Sequence, residues 1–206
     1  MPLASSPIGR RERNKQEKFD RIVAAARELF AEHGVDDVTT QQIAEKADIG
    51  TGTLFLYAKT KGELLLLVQN DAYVTALEHG RGAAAAEADA VEAVVALVRP
   101  IVACNRVQVD NGRTYLREML FGDPSEPRHA EALGIAAQTE EEVVAILQRT
   151  PGFDEAQSAA VARIVSAVMF VSMAASVNAG ASVDEIMQQI EQQVRVLIPT
   201  SAGRSR

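Results

Sequence analysis

The sequence holds no tryptophan, a single cysteine among 206 residues, and only 4% aromatic residues. One cysteine cannot form an internal disulfide, which excludes a small disulfide-framed secreted fold. Scarce aromatics beside abundant Ala, Val, Glu, Gln and Leu disfavour a sandwich or barrel of strands and favour helices. The P-loop, GxSxG, HExxH and paired-cysteine patterns are all missing. The opening stretch MPLASSPIGRRERNKQ has basic residues but no apolar region with a cleavage-like site after it, so the expected location is cytoplasmic. One uncharged run, Ile164 to Val183, covers 20 residues and is long enough for a membrane span. It contains Ser166, Ser172, Ser176, Asn178, Gly180 and Ser182, so a buried helix and no membrane partner are expected instead.

What is present is a 47% hydrophobic chain, long enough to bury a sizeable core as one generous domain or two small ones. Its net charge of −7 is unevenly spread. Residues 1–62 carry ten Lys+Arg against nine Asp+Glu, whereas the remainder carries eleven against nineteen. All five lysines, Lys15, Lys18, Lys46, Lys59 and Lys61, lie in the first segment. Such polarity suggests an anionic partner at that end, or else a chance cluster of solvated lysines.

Apolar spacing of i, i+3, i+4, i+7 at Phe19, Ile22, Val23, Ala26, Leu29 and Phe30 predicts a helix from about Lys15 to His33, ended by Gly34. Thr39 and Gln42 form a Thr-x-x-Gln capping box for a short helix over 40–47. Asp48 and Gly50 then mark a tight turn before a third helix over 51–58. Thr60 caps a fourth helix that fades at Gly80 and Gly82. Later breakers place helices near 87–109, kinked at Pro100, and near 113–121, 127–149, 154–179 and 182–198. The expected fold is all-α with about nine helices. Its parts are a disordered basic tail (1–14), a helix-turn-helix domain (15–60), a helical ligand-binding and dimerisation domain (61–199), and a disordered tail (200–206).

The pair of short helices is the most informative piece. Ala44 is small where the axes must approach, and Ile43 and Leu54 supply apolar contacts. In a helix-turn-helix the second helix enters the major groove, while donors at helix starts hold phosphates and fix the register.

The string TTQQIAEKADIGTGTLFLYAKTKGELL, Thr39 to Leu64, resembles the DNA-binding segment of the TetR family of bacterial transcriptional regulators. That segment typically reads T-T-x-x-I-A-x-x-A-G-V-S-x-G-T-L-Y-x-Y-F-x-S-K-E-x-L. The departures are Asp48 for Gly, Gly50 for Ser, Phe55 for Tyr, Ala58 for Phe and Gly62 for Glu. The resemblance implies Thr40 at a phosphate, Gln41 near a base edge, Thr51 and Gly52 facing the major groove, and Thr53, Tyr57 and Lys61 on phosphates. Phe55 then meets a thymine methyl, or else Phe55 and Leu56 pack into the small domain. The run Arg10, Arg11, Arg13 and Lys15 is either an arm toward DNA or a solubilising tail.

The implied protein is a repressor released from a near-palindromic duplex operator by a small-molecule effector, with an activator or a ligand-independent repressor as alternatives. No cofactor and no enzymatic activity are expected. A two-fold homodimer is expected through Ile164, Val168, Ile186, Ile190, Val194 and Leu197 on the last two helices, unless these faces bury only in their own chain. Candidate effector-site residues are Asn70, Tyr73, Cys104, Gln108, Tyr115, Met119, Thr139 and Met173, although residues of these types are more often plain core than ligand contacts. Arg106, Arg113 and Arg117 could pair a ligand carboxylate or form surface ion pairs. An enzyme with a di-metal site would need two Glu-x-x-His motifs. Glu126 and His129 supply one, and neither His33 nor His79 supplies another.

Overall fold

The first helix, α1 (Arg10–His33), buries Ile22, Ala25, Ala26 and Phe30, and Gly34 closes it by donating its amide to the Phe30 carbonyl. At Gly34 φ is +81°, a left-handed value that side chains with a Cβ rarely adopt. Helices α2 (Thr40–Lys46) and α3 (Thr51–Leu54) follow, and α4 (Lys61–Ala85) leaves this small domain for the next. The computed structural model describes residues 9–198, and its regular elements are nine α-helices and one 3-10 turn.

The larger domain is built around α4. Helices α5 (Ala90–Arg106), α6 (Val109–Phe121) and α7 (Pro127–Gln148) pack on it, and α8 (Glu155–Ala174) lies against α7. After a 3-10 turn at Ser176–Asn178, α9 (Val183–Leu197) packs on α5 and α8. Side chains start most of these helices. Asp89 accepts from the amides of Val91 and Glu92, Asp154 pairs with Gln157, and Ser182 pairs with Glu185, each satisfying donors that a helix leaves free at its start.

Several boundaries differ from those expected. Residues 10–14, assigned to a disordered tail, form the first turns of α1, while residues 1–8 and 200–206 of the two expected tails, together with Pro199, lie outside the described residues. Helix α4 runs through Gly80 and Gly82 instead of fading there. Gly80 is where α4 and α5 touch: a Cβ on it would stand 2.2 Å from the Leu97 carbonyl oxygen. Likewise Asn111 and Gly112, read as a break, lie inside α6, where a Cβ on Gly112 would fall 2.1 Å from the Asn105 carbonyl oxygen. Both glycines allow backbones to approach, and that packing outweighs a helix-propensity cost of about 1 kcal/mol each. The uncharged run from Ile164 to Val183 is two elements, because α8 stops at Ala174. Among the described helices α8 alone has the length and apolarity of a membrane span, and it packs against α7 and α9.

Candidate nucleic-acid interface and effector cavity

The capping box is formed. Gln42 donates its amide to the Thr39 hydroxyl at 3.2 Å, and Gln42 Oε1 accepts from the Thr39 amide at 2.7 Å. This fixes the start of α2, leaving Thr40 half-buried and Gln41 exposed, with Gln41 Nε2 donating to Glu45 Oε1 at 2.8 Å. Asp48 alone takes the left-handed conformation in the turn, at φ +53°; Gly50 is extended at the start of α3 and offers no side-chain cap. Ile43, Ala44 and Leu54 are buried between α2 and α3, as their apolar or small character requires.

Helix α3 is four residues long, shorter than the expected 51–58, and its last turn tightens into i→i+3 bonds from Leu56 to Thr53 and from Tyr57 to Leu54. The tightening points Leu54 inward and turns Phe55 and Leu56 to solvent, Leu56 at 83% exposure. Packing of Phe55 and Leu56 into the small domain, the alternative left open by the sequence, is not what is seen. Thr51 and Thr53 are half-buried and Gly52 is exposed, with nothing within 4 Å of where its Cβ would be. Thr51, Gly52, Thr53, Phe55 and Leu56 therefore form an open surface suited to close approach of another backbone or base edge.

Tyr57 and Lys61 are not free-standing. The Tyr57 hydroxyl donates to the Lys15 carbonyl at 3.3 Å, and its ring lies 6.1 Å from that of Phe19. Lys61 Nζ donates to the carbonyls of Val35 at 2.7 Å and Asp36 at 3.1 Å, using two of its three N–H groups on the loop after α1. Lys59 Nζ reaches Glu126 at the start of α7, and this bond raises the lysine pKa above its ordinary value.

In the larger domain, Tyr73, Tyr115, Met119, Thr139 and Met173 of the expected effector residues line one apolar cavity. They are joined there by Ile101, Leu116, Ala132, Ile135, Ala136, Met169 and Phe170, which periodicity marks only as core. The Tyr73 and Tyr115 rings stack at 4.1 Å with 15° between planes. Each hydroxyl is tied to an asparagine: Tyr115 donates to Asn70 Oδ1 at 2.9 Å, and Tyr73 accepts from Asn105 Nδ2 at 2.9 Å. Burial drives both phenol pKa values well up, so both rings stay neutral. Asn105 Oδ1 is buried with no partner among the described residues. The cavity holds about 20 Å³, room for about one water.

The remaining candidates sit elsewhere. Gln108 caps α6 and packs on Gly34 rather than lining the cavity. Cys104 is half-buried outside it, its thiol pushed up to about 11 by burial. Arg106 donates to the carbonyls of Asn178, Ala179 and Ala181, and Arg113 to that of Ala174, so both close the turn between α8 and α9. Asn111, which sequence reasoning passed over as a loop residue, bridges the domains: its Nδ2 donates to the Phe30 carbonyl and its Oδ1 accepts from the Val35 amide, each at 2.7 Å.

For the expected dimer faces the structure makes a correction. Ile186, Ile190 and Val194 are buried inside their own chain, because the apolar face of α9 is already covered by α5 and α8. Ile164 is 44% exposed, Val168 and Leu197 are partly exposed, and Val171 is 67% exposed. The outward face of α8 carries Ala160, Ile164, Ala167 and Val171, with exposed Arg163 beside them. Among the described residues, the buried His129 finds no partner for either ring nitrogen, and no three or more His, Cys, Asp or Glu gather into a metal-binding group.

Residues 22–68 match the family model of the bacterial regulatory proteins, tetR family. A curated relative, the fatty acid metabolism regulator protein of Bacillus subtilis (strain 168), is 35% identical over 54 residues, which spans 26% of this chain and 28% of the relative. Among solved structures, the TetR-family transcriptional repressor FadR of Thermus thermophilus, in complex with lauroyl-CoA, superposes with a TM-score of 0.70 at 22% identity, covering 91% of this chain and 96% of that one. A TetR transcriptional regulator from Rhodococcus sp. RHA1 gives 0.67 at 15% identity, covering 92% and 100%. The fold over the described residues is that of these regulators.

Proposed function

From a chain whose residues 22–68 match the model of the bacterial regulatory proteins, tetR family, we propose a sequence-specific transcriptional regulator, a repressor released from a near-palindromic operator by a small-molecule effector. The observation that carries this reading is the open surface of α3 beside a capped α2, in a domain tied directly to a helical domain with an apolar cavity. Thr51 and Gly52 face the groove, Gln41 reaches a base edge, and Thr40, Thr53, Tyr57 and Lys61 hold phosphates. Phe55 meets a thymine methyl. A homodimer, acting in the cytoplasm, would pair two such surfaces through the outward Ala160, Ile164, Ala167 and Val171 of α8.

The effector is an apolar molecule, and the lauroyl-CoA bound by the Thermus relative makes a long acyl chain the first class to try. Tyr73, Tyr115, Met119, Thr139 and Met173 would contact it, with Asn70 acting through Tyr115. A cavity of about 20 Å³ falls far short of the ~300–1,000 Å³ typical of ligand sites, so binding requires α6, α7 and α8 to part. Parting those helices is what would change the spacing of two recognition helices.

Selection from random duplexes should return a near-palindromic consensus. Thr51→Ala should shift that consensus, and Lys61→Gln should weaken all sequences alike and flatten the salt dependence by about one to two units of slope per dimer. A chain that selects no consensus refutes the reading. For induction, an acyl-CoA series in thermal-shift assays should stabilise the protein, and saturating operator should weaken acyl-CoA binding by the same factor as acyl-CoA weakens operator binding.

A further inference from the structure

The start of α1 is a basic rod rather than a loose tail, and its place relative to α3 gives it a role of its own. Residues 10–18 are all exposed. Arg11, Lys15 and Lys18 stand at i, i+4 and i+7, on one face, with Arg10 one residue before. That face forms one wall of an open groove of about 1020 Å³ whose other wall carries Thr53 and Tyr57. Four cations stand in the groove against one carboxylate, Glu12. Lys46 and Lys59 are neutralised by Glu28 and Glu126, whereas none of Arg10, Arg11, Lys15 and Lys18 is among the ion pairs of the described residues. In a chain of net charge −7, unpaired cations crowded at helical spacing repel one another, and an anion in the groove would relieve that repulsion.

The groove is also fixed in direction. The hydrogen bond from Tyr57 to the Lys15 carbonyl and the Phe19–Tyr57 contact at 6.1 Å fasten α1 to the turn that ends α3. From Arg11 to Lys18 the helix rises about 10 Å, the rise of about three base pairs. We propose that this face of α1 is a second DNA contact, gripping the backbone phosphates that flank the half-site read by α3, without reading bases. A helix presenting long side chains to one groove wall suits phosphates, whereas an extended arm would be needed to thread a minor groove. The proposal rests on the DNA-binding reading above and adds to it a longer, sequence-independent footprint.

The test is the full chain with Arg11→Gln, Lys15→Gln and Lys18→Gln together, titrated by anisotropy against the operator selected by wild type over a series of salt concentrations. Glutamine matches these residues in helix propensity, so α1 should persist, as far-ultraviolet circular dichroism will show. A dimer loses up to six contacts at about 0.9 slope units each, so the slope should fall by about two to five units and affinity at least about tenfold near 0.1 M salt. The selected consensus should not change, and Arg11→Lys with Lys15→Arg and Lys18→Arg should restore the slope. If wild type binds its consensus and the glutamine variant keeps the same slope and affinity, the second contact is wrong while the α3 reading stands. A changed consensus would overturn it too, by showing base contact. Absence of any consensus for wild type overturns the parent reading and this one with it.

Discussion

Asn111 Oδ1 accepts a 2.7 Å hydrogen bond from the Val35 amide, 76 residues earlier in the chain, and so ties α6 of the larger domain to the loop leaving α1. The two groups it serves are unequal. The Phe30 carbonyl also accepts from Gly34 at 3.0 Å, so losing Asn111 Nδ2 leaves it partnered, whereas the buried Val35 amide would have no replacement. Tyr115 and Met119 follow Asn111 by one and two turns of the same helix and line the cavity. A displacement of α6 at the cavity would therefore pull on the loop that leaves α1.

Asn111→Ala should cost about 1–3 kcal/mol, the penalty for a buried amide without a partner, read as a lowered urea midpoint. It should also uncouple the domains: acyl-CoA should still raise the thermal midpoint, but should weaken operator binding less than in wild type. A variant with undiminished coupling would show that the signal passes elsewhere, through α4 or the Lys59–Glu126 pair.

Gly80→Ala separates local from tertiary preference. In an isolated helix the change would gain about 1 kcal/mol. Here the new methyl would stand 2.2 Å from the Leu97 carbonyl oxygen, which belongs to a rigid backbone and cannot swing aside. Overpacking of this kind costs about 1–3 kcal/mol, so the net effect should be destabilising. Gly82→Ala, with nothing within 4 Å, is the control and should be neutral or stabilising.

Ile190→Asp and Ile164→Asp should fail in different ways. Ile190 is fully buried under α5, so a carboxylate there should lower stability by several kcal/mol and unfold much of the protein at ambient temperature. Ile164 is 44% exposed on the outward face of α8, so its replacement should leave the fold intact. Sedimentation of Ile164→Asp should then show monomers under conditions where wild type sediments as a dimer.

Cys104, with its thiol raised to about 11 by burial, should be slow toward alkylating reagents. At pH 8 only about one thiol in 10³ is ionised, against roughly a quarter for an ordinary cysteine near pKa 8.5, so alkylation should be on the order of 10²-fold slower than for the unfolded chain. Raising the pH through 11 should recover the rate. Alkylation at an ordinary thiol rate at pH 8 would show that the α5 face around Cys104 opens readily.

The sequence alone decided that the chain is helical and where several helices begin. Apolar spacing set α1, the Thr39–Gln42 box set α2, and the pairs Asp154–Gln157 and Ser182–Glu185 start α8 and α9, because such caps act between residues three apart and need no other part of the chain. Tertiary structure decided what those helices do with their surfaces. The apolar face of α9 read as a dimer interface but is core, since periodicity records that a face is buried but not what covers it, and α5 covers it. Gly80, Gly112 and Asn111 read locally as breakers; the two glycines instead let the backbone of α5 come close, and the Asn111 side chain bonds the backbone around the end of α1, contacts that outweigh local propensity once a core has formed. The cavity was legible only in part, because its α7 and α8 linings use the same aliphatic residues as any core, and only the stacked tyrosines and their asparagine partners set it apart.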